Sequence, residues 1–245
     1  MSEVVFVGTS DAFGAAGRRQ AAILLRGPMG SVLLDCGATT NSGLSALGIA
    51  RDELDAIVVS HFHADHFGGI PLLLLACLYE DGRRRPLRIA GPPGVEARVR
   101  AAAAVLGHGL EERSWPFPLL FQELRAGDRA EVGPVRVQPF ETRHQPDSAP
   151  HGFRVETGRG TVVYSGDTGW FEELPGRVAG ADLFVCECTF VRSQLDFHLS
   201  YELLAPRRPA FDCGRMVLTH LGAEMAAHRG ALDLETADDG LVLKL

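Results

Sequence analysis

Four apolar runs in this chain of 245 residues close on a histidine or an aspartate. They are DAIVVSH at 55–61, EVGPVRVQPFETRH at 131–144, GFRVETGRGTVVYSGD at 152–167 and the RMVLTH of RMVLTHLG at 215–222. A run dense in Val and Ile is what a buried strand requires. In α/β and α+β folds, ligands gather where the C-terminal ends of strands meet loops. If the four ends converge, His61, His144, Asp167 and His220 would line one cage.

The segment SHFHADH at 60–66 adds to that set. His61 and His63 lie two apart, and in an extended stretch such residues project to the same side, so both can reach one ion. Asp65 and His66 follow where the chain is expected to turn into a helix starting near Phe67, and so point towards a second ion. Imidazole and carboxylate suit zinc or another borderline divalent metal. Gly68 and Gly69 would let the helix start pack close to the site, and Pro71 falls in its first turn, where a missing N–H costs little. The alternative is a polar loop with incidental histidines. Surface or helix-end roles are expected for His108 and His228, and less firmly for His151.

Elsewhere the pattern is of many strands with interleaved helices. Strands are expected at VVFVG (4–8), AAILLRG (21–27), SVLLDCG (31–37), LRIAGPP (87–93) and LFVCECTF (183–190), and helices at 40–48 and 95–107. Residues 114–124 are ambiguous because two prolines interrupt them. LDLETADDGLVLKL at 232–245 reads as a closing hairpin around Asp-Gly. The longest apolar stretch, IPLLLLACLY at 70–79, is about half of what a bilayer requires. The N-terminus shows no signal-peptide pattern, so the default expectation is a cytoplasmic protein with no membrane partner. Five widely spread cysteines do not form a disulfide framework; small reduced core residues are the plainer reading. The net charge of −7 argues against a general nucleic-acid surface, leaving RRRPLR at 83–88 as a local basic patch or a solvated loop.

HFHADH, the later His144, SGDT at 165–168 and LTH at 218–220 together resemble the metallo-β-lactamase superfamily. The likeness spans nearly the whole chain. GTSDAFGAAGRRQAAILL at 8–25, LLDCG at 33–37, GPPG at 91–94, and ECTF followed by HLS at 187–200 are similar to its ribonuclease Z-like, phosphodiesterase branch. The resemblance implies one domain over residues 1–245 with a four-layer αββα sandwich of the α/β (α+β) class. It implies that His61, His63 and His144 hold one metal, that Asp65, His66 and His220 hold a second, and that Asp167 bridges them. Asp35 would support a ligand imidazole from behind, since such rings need an acceptor on their other nitrogen. Candidate catalytic residues are Asp65, itself a ligand, His198 as the proton donor, and Glu187 as the carboxylate that raises its pKa and fixes its tautomer. Ser200 could cap a helix starting at Tyr201.

Two divalent ions, probed first as Zn2+ with Mn2+ or Fe2+ as alternatives, would leave a net charge of about +1 after two acids and a bridging hydroxide. That favours a small anionic substrate. The expected reaction is in-line hydrolysis of a small or cyclic phosphodiester. No long Gly/Pro-rich insertion lies between Pro86 and His144 that could grip tRNA, which argues against tRNA as a partner. Arg143 and the Arg18-Arg19 pair could meet a phosphate, and Trp170 and Phe171 could stack on a base; packing and surface roles compete in each case. The alternatives are hydrolysis of a lactone, thioester or β-lactam, tRNA 3′-end processing, and a non-catalytic metal-binding protein. A homodimer is a further expectation that the resemblance carries.

Overall fold

The computed structural model describes residues 2–111, 113–228 and 230–245. The first sheet has seven strands in the order β13-β1-β2-β3-β4-β5-β6: β1 (Glu3–Gly8), β2 (Ala22–Gly27), β3 (Gly30–Leu34), β4 (Leu54–Val58), β5 (Leu87–Gly91), β6 (Leu119–Glu123) and β13 (Val242–Lys244). The second has six in the order β12-β11-β10-β9-β8-β7: β7 (Ala130–Val132), β8 (Val135–Glu141), β9 (His151–Thr157), β10 (Gly160–Tyr164), β11 (Ala181–Glu187) and β12 (Cys213–Thr219). Both are mixed. Pairing is parallel from β3 to β6 and from β10 to β12, and antiparallel elsewhere.

Alternation along each strand decides which layer a side chain enters. In β1, Val4 and Phe6 join the core between the sheets, where Val135, Phe153, Tyr164 and Val185 meet them. Val5 and Val7 face the other way. There α1 (Thr40–Ala46), α3 (Ile70–Tyr79) and α4 (Val95–Val105) cover the first sheet with Leu44, Leu73 and Val99. Beneath the second sheet, Val163, Phe184 and Leu218 pack on α5 (Leu174–Val178), α6 (Tyr201–Leu204) and α7 (Ala223–His228). The result is the αββα sandwich. Full burial of each Leu, Val or Phe is worth roughly 1.5–3 kcal/mol, so the interleaved strands are held by two apolar faces at once.

Several expectations shift in detail. The helix after β4 begins at Ala64, not near Phe67: α2 (Ala64–Phe67) stops at Gly68 and α3 resumes at Ile70, with Pro71 in its first turn. A Cβ on Gly69 would run into Gly37 O, so this glycine pair does hold the helix start against the β3 exit. The C-terminal segment is not a hairpin. Thr236 bridges Leu218 in the second sheet, while β13 pairs with β1 in the first. The Asp-Gly turn therefore carries the chain across the sandwich rather than back on itself. RRRPLR is not simply a solvated loop, because Arg83 is buried and donates to Leu54 O, Pro86 O and Arg85 O at 2.6, 2.7 and 2.9 Å. All five cysteines are free, and four are buried. Among the described residues no helix is long and apolar enough to cross a membrane.

Candidate metal centre

The ends of β4, β8, β10 and β12 open on one rim of the sandwich. There His61, His144, Asp167 and His220 meet His63, Asp65 and His66, which leave β4 through α2. The ligand-type atoms fall into two adjacent clusters, His61–His63–His144 and Asp65–His66–Asp167–His220, with the groups His144–Asp167–His198 and Glu187–His198–His220 beside them. All are buried except His63, which is half-buried. Two of the hinge residues adopt left-handed backbone, Asp35 at φ 61 and His220 at φ 56. Such a conformation is uncommon outside glycine, although Asp and His tolerate it best.

Each clustered imidazole but that of His63 is held from behind. His66 Nδ1 donates to Asp35 Oδ2 at 2.7 Å, His144 Nδ1 to Phe197 O at 3.0 Å and His220 Nδ1 to Thr189 Oγ1 at 2.9 Å. His61 Nδ1 lies 3.0 Å from Ser60 Oγ, whose own proton goes to Asp35 Oδ2 at 2.7 Å. Asp35 also accepts from Ser60 N at 2.6 Å and Tyr164 Oη at 2.7 Å. It is thus the anchor of two ligand rings. With every Nδ1 proton spent outwards, Nε2 of His61, His66, His144 and His220 is the atom that looks into the site.

That orientation tests whether a metal fits. His63 Nδ1 lies 3.2 Å from His61 Nε2 and 3.1 Å from His144 Nε2. Neutral rings that present lone pairs to one another can satisfy at most one of these two contacts with a proton, whereas a cation satisfies all three nitrogens. In the second cluster, His66 Nε2 and Asp167 Oδ1 are buried and have no hydrogen-bond partner among the described residues. They face each other at 3.3 Å. Asp167 Oδ2 is 3.8 and 4.0 Å from Nε2 of His61 and His144, and 3.4 Å from His220 Nε2. It therefore lies between the clusters, with an oxygen towards each. Buried polar atoms left without partners are rare, and these are of the kinds that zinc takes. The donor set fits a dinuclear centre.

Charge separates the clusters. Burial pushes the His61 and His144 imidazoles below their ordinary 6.5. Burial also opposes charge on His66 and His220, but Asp167 and Asp65 outweigh it, lifting His66 well above 6.5 and His220 to about 9. Conversely, those imidazoles hold Asp65 and Asp167 far below the usual carboxylate range against the cost of burial.

Beside the second cluster stands His198, with Nδ1 2.8 Å from Glu187 Oε1. Glu187 continues the inward alternation of Leu183 and Val185 and so emerges from β11 at the rim. It is fully buried and fixed by Thr168 N at 2.9 Å and by Thr189 N and Leu199 N at 3.2 Å each. Burial works against a charged His198, yet Glu187 overcomes it and raises the pKa.

Other expectations fare differently. Arg18 and Arg19 do not face the site: they pair with Asp238 at 3.0 Å and Asp239 at 3.6 Å. Arg143 is exposed beside His144, with Nη1 3.4 Å from Trp170 O. Trp170 packs edge-on against Phe211 beneath Arg207, as a core residue would. Ser200 stands at the N-cap of α6, but its hydroxyl makes no capping bond. Two supporting residues escaped the sequence reading, Tyr164 and Thr189. Only the alternation in TVVYSGD, which turns Tyr164 inward, hinted at either.

The model of the Anti-Pycsar protein Apyc1 family matches residues 2–238. The chain belongs to this family. It is also 30% identical over 239 residues to a ribonuclease Z of Mycobacterium sp. (strain KMS), covering 90% of this chain and 84% of that one. Among solved structures it is similar to the metallo-β-lactamase fold protein YhfI from Bacillus subtilis, at TM-score 0.77 and 22% identity over the whole of both chains. A diphosphatase from the PhnP family superposes at TM-score 0.78 with 15% identity, over 100% of this chain and 98% of that one. This member of the Apyc1 family thus falls in the ribonuclease Z and phosphodiesterase branch of the metallo-β-lactamase superfamily, and it is a metal-dependent hydrolase.

Proposed function

We propose that the protein is a phosphodiesterase of small or cyclic phosphodiesters, with His61, His63 and His144 around one zinc ion, Asp65, His66 and His220 around a second, and Asp167 between them. The observation that carries the reading is the His198–Glu187 pair, 2.8 Å apart and beside the cluster. Hydrolysis of a thioester needs no dedicated proton donor of this kind, because a thiolate leaves unaided, whereas an alkoxide leaving phosphorus does. The relatives named ribonuclease Z and diphosphatase point to cleavage of P–O bonds as well.

Bound cations would supply water as a nucleophile at neutral pH and offset the charge gathering on the phosphoryl oxygens. The chain itself does the rest. Glu187 accepts His198 Nδ1–H and favours the imidazolium, so Nε2 presents the transferable proton. Water adds to phosphorus and gives up one proton to solvent, the ester P–O bond breaks, and the leaving oxygen takes the His198 proton, which solvent then restores. Asp35 and Thr189 keep the ligand rings in the tautomer that presents Nε2. Against long RNA substrates stand the net charge of −7 and the short connections between Pro86 and His144.

The test is a screen of zinc-loaded protein against bis(p-nitrophenyl) phosphate, cyclic phosphodiesters, a tRNA precursor and a chromogenic lactone. Turnover of the first two with little of the others is expected. His198→Ala should lower that turnover about 10²–10⁴-fold with metal content unchanged. An unaltered rate would remove His198 from the mechanism, and preferential lactone cleavage would replace the reading.

A further inference from the structure

Thr189 lies two residues beyond Glu187, where β11 ends, and in extended chain such residues face the same side. Its hydroxyl oxygen is 2.9 Å from His220 Nδ1, 3.1 Å from Glu187 Oε2 and 3.3 Å from His198 Nδ1. Glu187, His198 and His220 stand close enough to hold a cation among themselves, yet the Thr189 oxygen is within hydrogen-bond range of each, so a hydroxyl joins these three groups. A hydroxyl brings one proton and two lone pairs. The His198 Nδ1 proton is spent on Glu187 Oε1 at 2.8 Å. The Thr189 proton then finds its acceptor in Glu187 Oε2, and its oxygen accepts from His220 Nδ1–H. The order is fixed: His220 donates to Thr189, Thr189 donates to Glu187, and His198 donates to the other oxygen of the same carboxylate.

The backbone holds this hydroxyl in place. Thr189 O accepts from Gly222 N at 3.1 Å, and a Cβ on Gly222 would come within 2.5 Å of that carbonyl, so the turn after β12 needs glycine to approach so closely. Cys188 N donates to Thr219 O at 2.9 Å, and Tyr201 N donates to Phe190 O at 2.8 Å. Thr189 thus stands where β11, the turn carrying His220 and the loop carrying His198 meet. It is buried, so water is poorly placed to stand in for its hydroxyl. The His198 and His220 rings beside it are stacked, 13° from parallel with centroids 5.5 Å apart. Glu187 does not need this hydroxyl to stay where it is, because Thr168 N, Thr189 N and Leu199 N also donate to it. What the hydroxyl adds is the link to His220.

We propose that Thr189 is a positioning residue that couples the second metal cluster to the proton donor, its hydroxyl holding the His220 ring and the His198–Glu187 pair at one spacing. This rests on the phosphodiesterase reading and deepens it, since the coupling matters only where a leaving oxygen needs the His198 proton. Hydrogen bonds in series polarise one another. When His220 Nε2 is engaged, its Nδ1–H becomes a stronger donor, and the chain that ends at His198 tightens with it.

The experiment compares wild type, Thr189→Val and Thr189→Ser, all zinc-loaded, on bis(p-nitrophenyl) phosphate and on a cyclic ribose phosphate. The phenoxide of the first leaves with little help from a proton, while ring opening of the second expels an alkoxide that needs one. Thr189→Val keeps the shape and removes the hydroxyl. It should lower kcat on the cyclic ester about tenfold more than on the p-nitrophenyl ester, the scale of one hydrogen bond. It should also weaken zinc at the second cluster roughly 10–100-fold in a chelator titration, and Thr189→Ser should restore both. Asp35→Asn weakens the same cluster through His66 and should leave the ratio of the two rates unaltered. Imidazole-proton NMR of the zinc-loaded proteins reads the link without turnover: Thr189→Val should move the Nδ1–H resonances of both His220 and His198. An equal loss on both esters, a shifted ratio in Asp35→Asn, or a His198 resonance that stays in place would overturn the coupling and leave Thr189 as a support of His220 alone. If Thr189→Val fails to fold, Thr189→Ala gives the same three readings. If wild type cleaves neither ester, the phosphodiesterase reading falls, while the NMR comparison still decides the coupling.

Discussion

His61, His63 and His144 face one another through ring nitrogens, whereas Asp65, His66, Asp167 and His220 set two acids against two imidazoles. Both clusters sit on the same rim and share Asp167 as neighbour, but their resting states differ. In the first, burial keeps His61 and His144 neutral, so lone pairs are already presented to a cation. In the second, Asp167 and Asp65 raise the His66 and His220 imidazoles against burial, so positive charge is favoured where a metal would supply it. A buried ion-pair set of this type is costly to break from one side. The comparison teaches that one cluster is assembled by packing and neutral hydrogen bonds, while the other is assembled by its own charge and must release protons to take a metal.

The sharpest way to break the comparison is Asp167→Ala, because Asp167 approaches ligands of both clusters. Metal analysis should then show loss from both, and turnover should fall by at least about a thousandfold. Retention of one full equivalent would show that the clusters are more independent than their shared carboxylate implies. Asp35→Asn is gentler. It weakens the acceptor behind His66 directly and the one behind His61 only through Ser60, so a competitive chelator titration should show affinity for the second metal lower by roughly 10–100-fold and a smaller loss for the first.

The smallest effect is one of pH. In the metal-free protein His220 lies near 9, above the ordinary 6.5 of an unfolded histidine. Its contribution to stability is therefore complete below about 6.5 and lost as the pH rises through about 9. Scanning calorimetry should show the metal-free melting temperature falling over that window, and metal loading should flatten the slope. His61 and His144 have the opposite sign: their contribution is present above 6.5 and is lost on acidification. A metal-free protein equally stable at pH 7 and pH 10 would contradict the charged state of the second cluster.

Much of the site was legible before any coordinates. A histidine or aspartate closing an apolar run marks a strand end, and HFHADH holds four ligand-type residues close enough in sequence for local geometry alone to divide them between two ions. The pairing of Glu187 with His198 was readable only through resemblance, since eleven positions separate them and nothing local couples them. Arg18 and Arg19 misled because an exposed-looking basic pair carries no sign of Asp238 and Asp239, which lie more than two hundred positions away. The C-terminal Asp-Gly misled for a similar reason: a tight turn between apolar runs specifies a reversal only if both runs find the same sheet, and here they join different ones.

The sequence by itself determined the chemistry: which side chains can bind metal, which strands end on them, and how alternation divides apolar residues between two faces. These follow from residue type and from periods of two along a strand, which are local. Only the tertiary structure decided that Tyr164 and Thr189 join Asp35 behind the clustered imidazoles, that two clusters of opposite charge character share Asp167, and that Phe13 overlooks a cavity beside His198. Those are distances across the sandwich, set by how the two sheets pack, and no pattern along the chain encodes them.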